Sequence, residues 1–119
     1  MARARAGFDR SGRFQPSKAL ETAVFIELMR RGAQVSYVQT AGGFEVDFLA
    51  CLPGGRRELI QVCAEAPDAA TEEREIRALL AAREEHPGAA LTLVTLVPET
   101  FRKIQPEIRL VDRSDWIIQ

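Results

Sequence analysis

The sequence is poor in the side chains on which many reactive sites depend. Among its 119 residues are one histidine, His86, and two cysteines, Cys51 and Cys63, too few and too scattered for a zinc site. Neither the Gly-x-Ser-x-Gly turn of serine hydrolases nor the Gly-x-x-x-x-Gly-Lys-Ser/Thr loop of ATPases occurs. These absences exclude three common kinds of active site, and His86 is predicted to lie in a surface loop.

Long apolar runs are missing as well. No stretch approaches the roughly 18 apolar residues that span a bilayer, and no apolar segment follows the arginine-rich N-terminus as it would in a secretory signal. We therefore expect a cytoplasmic protein with no membrane contact. The net charge of −1 provides no overall attraction to nucleic acid. A chain of this length suits one domain with a modest core.

The chain divides into a short N-terminal segment, residues 1–16, and one domain, residues 17–119. The segment has few large apolar groups, so it is predicted to be flexible. It contains four arginines, Arg3, Arg5, Arg10 and Arg13. Solvated charge is the simpler interpretation of these arginines, and a phosphate-binding arm is the alternative.

Hydrophobic periodicity predicts two helices and five strands in the domain. The predicted helices are residues 17–31, with Ser17 as N-cap and Gly32 as the stop, and residues 71–85. The predicted strands are residues 35–39, 44–50, 57–63, 91–97 and 108–111. The apolar run at 91–97 is typical of an interior strand, and Trp116 is predicted to plug the core. This order predicts an α/β (α+β) fold with a mixed sheet flanked by helices.

The first predicted helix contains an anomaly at Glu21. Its apolar arc consists of Leu20, Val24, Phe25, Leu28 and Met29. Glu21 falls near the middle of this arc, whereas Glu27 falls outside it. An acid at that place either takes part in a site or reaches solvent or a backbone donor at the helix edge.

Residues 44–63 form the predicted hairpin around which the domain is organised, with its turn at Pro53-Gly54-Gly55. Because side chains alternate along a strand, Val46 is predicted to share a face with Phe48 and Ala50. Asp47 faces the other way, opposite the Gln61 to Cys63 region. A carboxylate in the middle of a sheet requires a partner, because an unpaired buried charge is costly.

The same alternation makes predictions for the other acids and the thiols of the hairpin. Glu45 and Glu58 are alternative acids, but they are predicted to point away from the face of Asp47. Cys51 lies near the turn and Cys63 at the far end of the second strand, too far apart for a disulfide. Both cysteines are predicted to be buried thiols.

The layout of this hairpin resembles the core of the PD-(D/E)xK nuclease superfamily, in which an acid on one strand faces an acid-x-Lys triplet on the next. Five motifs of the chain, taken together, are similar to those of the C-terminal nuclease-like domain, of unknown function, of a prokaryotic AAA+ ATPase family. The motifs that carry this resemblance are LETAV at residues 20–24, ELMRRG at 27–32, EVDF at 45–48, LIQVC at 59–63 and REIRALL at 74–80. The resemblance covers roughly residues 18–119 and implies an αβββαβ core.

The resemblance also implies a site. Asp47 matches the first acid, Gln61 the second acid and Cys63 the lysine, while Glu21 matches an early-helix glutamate that often joins the metal. Glu21, Asp47 and Gln61 would then hold Mg²⁺ or Mn²⁺, if any metal binds. Cys63 cannot replace a lysine, because a buried thiol stays neutral; Lys18 is a weak substitute. The catalytic pattern is therefore degenerate.

Three functions remain open at this point. The favoured one is a non-catalytic, restriction-endonuclease-like accessory module of an AAA+ ATPase, which binds DNA or a protein partner and needs no cofactor. The ATPase domain would belong to the same or another chain. The second is a divalent-metal-dependent DNA endonuclease with an altered site. The third is a structural domain that associates with itself, for example as a homodimer.

Overall fold

A five-stranded mixed sheet forms the centre of the structure, a computed structural model that describes residues 15–117. The elements are α1 (Pro16–Arg30), β1 (Gln34–Gln39), β2 (Glu45–Cys51), β3 (Arg57–Cys63), α2 (Ala69–Glu85), β4 (Ala90–Thr95), a 3-10 turn (Pro98–Thr100), β5 (Ile108–Asp112) and α3 (Arg113–Ile117). The predicted α/β (α+β) fold, a mixed sheet flanked by helices, is confirmed. No helix in residues 15–117 is both long enough and apolar enough to cross a membrane.

The strands lie in the order of the sequence, β1-β2-β3-β4-β5. The first three pair antiparallel, and β3, β4 and β5 pair parallel. A parallel pair requires a long connection, and α2 forms the one between β3 and β4. Strand β4 has neighbours on both sides, and Leu91–Thr95 are all buried. Its continuous apolar run correctly predicted an interior strand.

Helices cover both faces of the sheet and form two apolar clusters. On one face, α1 contributes Val24 and Leu28 and α3 contributes Trp116, and these side chains share a cluster with Ile60 of β3. On the other face, α2 packs Leu79 and its neighbours against β2, β3 and β4. Trp116 is 0% exposed, so its predicted role as a core plug is confirmed.

Of the two predicted ends of α1, the structure confirms only the C-terminal one. The helix begins at Pro16, with Gln15 as N-cap and no side-chain cap, so the prediction of Ser17 as N-cap was wrong. Proline suits the first helical position because the N–H it lacks would have no intrahelical partner. At the other end Gly32 has a φ of 78°, which ends the helix as predicted. Of the predicted flexible segment, residues 1–14 lie outside the described residues.

The buried face of α1 is rotated from the predicted arc. Glu27 is 7% exposed, whereas Phe25 and Met29 are 37% and 52% exposed. The Glu27 carboxylate accepts hydrogen bonds from the Nε atoms of Arg30 (3.0 Å) and Arg31 (2.9 Å). These charge-assisted contacts compensate its loss of water, so a charged residue replaces apolar ones on the packed face.

Candidate functional site

The site forms where the paired strands β2 and β3 part. Their backbone pairing runs from Cys51↔Arg57 to Phe48↔Ile60. Beyond that pair, side chains bond to main chain instead. The Asp47 N–H donates to Gln61 Oε1 (2.9 Å), and the Val62 N–H donates to Asp47 Oδ2 (2.8 Å).

Gln61 completes this arrangement with its other amide atom. It is 2% exposed, and its Nε2 donates to the Glu45 carbonyl (3.1 Å). Both ends of the amide therefore bond to the main chain of β2. An amide suits this place because it is donor and acceptor at once, whereas an ionised carboxylate only accepts.

A β-bulge in β2 determines where Asp47 points. Ser36 pairs with Leu49 and Val38 with Val46, so Tyr37 of β1 faces two residues of β2, Asp47 and Phe48. A bulge interrupts the alternation of side chains. Val46 accordingly packs in the cluster under α2 and does not share the face of Phe48, so the predicted alternation was wrong at this residue.

Asp47 and Gln61 lie at a cleft of about 700 Å³ that opens between α1 and α2. Glu21 lines the cleft from α1, and Cys63 lines it from β3. Four of the five residues predicted for the site therefore share one cleft. Lys18, the fifth, is exposed and does not line it.

The alternative acids have different positions. Glu45 lies at the cleft, so the prediction that it would point away from the face of Asp47 was wrong. Glu58 is 6% exposed and accepts a hydrogen bond from Thr92 Oγ1 (2.5 Å), and it does not line the cleft. Residues two apart along a strand lie on the same face, so Glu45 accompanies Asp47, whereas Glu58 stands on the neighbouring strand and bonds to Thr92 of β4.

Two further residues of the cleft, Glu75 and Arg74, come from α2. Neither residue was predicted for the site. Glu75 stands four residues before Leu79, which is 0% exposed, and residues at that spacing share a helix face. This spacing is the signal that could have placed Glu75 against the sheet.

The acids of the cleft influence each other and the thiol. Burial raises the pKa of Glu75; the positive charge of Arg74 opposes this, and the negative charge of Glu21 adds to it. Burial also raises the pKa of Cys63 to about 11, with contributions from the charges of Glu75 and Asp47.

Cys63 is consequently a neutral thiol at physiological pH. Its Sγ donates to the Glu65 carbonyl at 3.4 Å. It is half-buried, as is Cys51, and both thiols are free, so the prediction that they are buried was too strong. A neutral thiol can neither balance the charge of a phosphate nor act as a strong nucleophile.

As they are placed, the residues of the cleft are not arranged as a site for a divalent metal. Hard cations take several oxygen ligands, and main-chain N–H groups here use one lone pair of Gln61 Oε1 and one of Asp47 Oδ2. Within residues 15–117, no group of three or more His, Cys, Asp or Glu side chains is arranged to hold a metal ion. Glu21, Asp47 and Glu75 share a cleft without forming a coordination sphere.

No family model matches the chain, and no match was found among curated proteins or solved structures.

Proposed function

We infer that this chain is a non-catalytic module of nuclease-like architecture, which binds DNA as the accessory domain of an AAA+ ATPase in the cytoplasm. The resemblance of its motifs supports the ATPase and the nuclease ancestry. The loss of catalysis is supported chiefly by the hydrogen bonds of the Gln61 side chain. At the position where the resemblance expects a metal-binding acid, this amide uses its oxygen and its nitrogen to bond the main chain of β2.

The other groups of the cleft reinforce this inference. Metal-assisted hydrolysis of a phosphodiester needs a bound cation to polarise the phosphate and to generate hydroxide from water. Cys63, with a pKa of about 11, supplies no positive charge. Arg74 is the nearest alternative, but its side chain is 67% exposed and lies 3.9 Å from Glu75. A DNA-binding role needs none of this chemistry.

Calorimetric titration with Mn²⁺ tests the inference most directly. We expect no saturable heat, and no cleavage of single-stranded, duplex or branched DNA in the presence of Mn²⁺ or Mg²⁺. Asp47→Ala is the control for contaminating nuclease, because any cleavage that it retains does not come from this cleft. Metal-dependent cleavage that disappears in Asp47→Ala would overturn the inference.

A divalent-metal-dependent endonuclease with an altered site is the second candidate. The convergence of Glu21, Asp47 and Glu75 on one cleft favours it. These acids come from three different elements, α1, β2 and α2, and a bound cation would have to draw their oxygens together. The same titration decides between the two candidates, since this one requires Mn²⁺ to bind.

A structural domain that associates with itself is the third candidate. Three apolar residues on the outer side of α1 favour it: Phe25, Ile26 and Met29 are 37%, 55% and 52% exposed. Such a patch is typical of an interface when its area is large. Sedimentation equilibrium over a range of concentrations tests for a homodimer, and Ile26→Glu should abolish the dimer if this patch forms it.

A further inference from the structure

A second, smaller cavity of about 340 Å³ lies beside the cleft, along the first turns of α2. We call it the basic groove and define it by Phe44, Arg74, Arg77 and Lys103, which line it. Among its lining residues, Glu73 carries the only negative charge. Three cations from two separate parts of the chain therefore face one acid, although the chain as a whole has a net charge of −1.

A buried acid fixes the part of the chain that carries Lys103. Glu72 is 3% exposed, and its Oε2 accepts hydrogen bonds from the Arg102 N–H (2.8 Å) and the Lys103 N–H (2.5 Å). Two charge-assisted bonds to one carboxylate oxygen hold this loop against α2. Lys103 is thus placed at the groove by its backbone, and its exposed side chain has no ion pair within residues 15–117.

An aromatic ring, that of Phe44, forms part of the wall of the groove. The Arg77 guanidinium lies over the half-buried Phe44 ring, 5.3 Å from its centroid, which is within the range of a cation–π contact. Arg77 also approaches Glu73 at 3.8 Å, but both side chains are about 60% exposed. Such a pair contributes little in water, so Arg77 can exchange Glu73 for a phosphate at low cost.

The groove and the cleft are adjacent, because Phe44 and Arg74 line both. The ligand chemistry that matches three cations beside a half-exposed ring is a phosphate backbone carrying unpaired bases. Cations follow the backbone of a single strand, and an aromatic ring stacks on its bases.

We propose that the basic groove binds single-stranded DNA, with Arg74, Arg77 and Lys103 on the phosphates and Phe44 beneath a base. This assignment rests on the proposed DNA-binding function and gives it a surface and a substrate class. Duplex DNA fits less well, because its bases are paired and cannot stack on Phe44.

Fluorescence anisotropy with a labelled oligothymidylate of about 20 nucleotides tests the groove. The groove variant is Arg74→Ala/Arg77→Ala/Lys103→Ala. The matched control is Arg56→Ala/Arg109→Ala/Arg113→Ala, which removes three exposed cations outside the groove. Three phosphate contacts give a slope of about −2 for log K against log salt. We expect the groove variant to lose about tenfold or more in affinity and most of that slope, and the control to stay within about twofold of wild type.

A second variant tests the aromatic contact. Stacking on one base contributes about 1–3 kcal/mol, which corresponds to a loss of about 5- to 150-fold when the ring is removed. We expect Phe44→Leu to show such a loss for the single strand and little change for a duplex of the same length. Circular dichroism melting of each variant verifies that it is folded.

The outcomes separate this assignment from the function on which it rests. If wild type binds DNA and the groove variant binds equally well, the groove is not the binding surface, but the DNA-binding function stands. Loss of binding on replacement of Arg3, Arg5, Arg10 and Arg13 alone would place the DNA on the N-terminal segment and overturn the groove. Preference for the duplex would overturn the single-strand assignment. Absence of DNA binding by wild type would overturn both proposals.

Discussion

The main-chain N–H of Asp47 donates a hydrogen bond of 2.9 Å to the side-chain oxygen of Gln61. The Asp47 carboxylate in turn accepts from the N–H of the next residue, Val62, at 2.8 Å. The two side chains thus continue the β2–β3 connection past the last backbone pair, Phe48↔Ile60. The two residues that the resemblance assigned to a metal site therefore have a structural role.

Asp47→Asn tests whether the carboxylate needs its charge. The amide keeps an oxygen that can accept from the Val62 N–H, and it removes a partly buried charge. We expect the free energy of unfolding to change by about 1 kcal/mol or less, in either direction. Urea denaturation followed by the fluorescence of Trp116 measures it. A loss beyond about 3 kcal/mol would mean that the charge itself supports a larger network.

Gln61→Leu tests the amide, with little change in volume. The substitution leaves the Asp47 N–H and the Glu45 carbonyl without the partners they have now. We expect a loss of about 2–4 kcal/mol in the free energy of unfolding, because buried unsatisfied polar groups cost about 1–3 kcal/mol each. The control is Gln39→Leu, on an exposed residue at the end of β1. Equal effects of the two substitutions would contradict the structural role of Gln61.

Glu75 should make the domain less stable as the pH rises. Its pKa in the folded state is raised above 4.5 by burial, so the folded protein binds more protons than the unfolded chain just above that pH. Stability therefore falls as the pH rises from 4.5 through the folded pKa. We expect Glu75→Gln to raise the melting temperature by a few degrees at pH 7 and to have little effect at pH 4.

The control for that substitution is Glu84→Gln, which changes an exposed residue of the same helix. It should leave the melting temperature nearly unchanged at both pH values. An equal gain from Glu84→Gln would show that the effect of Glu75→Gln comes from the net charge of the molecule.

Cys63 should react slowly with thiol reagents. A pKa of about 11, against 9.0 for the ordinary group, lowers the thiolate fraction at pH 8 by about 100-fold, and the thiolate is the reactive form. In a Cys51→Ser variant, we expect the reaction of folded protein with a disulfide reagent to be about 100-fold slower than that of the urea-unfolded chain. Equal rates would contradict the raised pKa.

Arg31 and Arg30 both contact Glu27, but their environments differ. The Arg31 side chain is 19% exposed; its Nη2 donates to the Trp116 carbonyl at 2.6 Å, and its guanidinium lies 4.3 Å from the indole centroid. We expect Arg31→Ala to cost about 2–3 kcal/mol in the free energy of unfolding. The Arg30 side chain is 71% exposed, so Arg30→Ala should cost much less. Similar losses from the two substitutions would contradict the larger contribution of Arg31 to stability.

Much of the architecture could be read from local pattern. The apolar run that became β4, the stop at Gly32 and the turn that joins β2 to β3 depend on neighbouring residues and on backbone geometry. The pairing of Asp47 with Gln61 also followed from the sequence, because a hairpin turn determines which residues lie opposite each other.

The burial of two acids was not predicted, because it depends on contacts between distant parts of the chain. Glu27 fell outside the predicted apolar arc of its helix, and nothing in the sequence singled out Glu72, yet both are buried. One contacts Arg31, which also holds Trp116, and the other holds the backbone of Arg102 and Lys103. Helical periodicity indicates which residues share a face, but it does not contain the partner that will cover that face.

By itself the sequence determined the order of the elements, the interior strand and the hairpin, because these depend on local periodicity and turn chemistry. Only the tertiary structure decided which acids are buried, how the bulge turns Asp47, and that α2 adds Glu75 and Arg74 to the cleft. These depend on packing between elements far apart in the chain, where a carboxylate can be buried only if distant N–H groups or guanidinium groups replace its water.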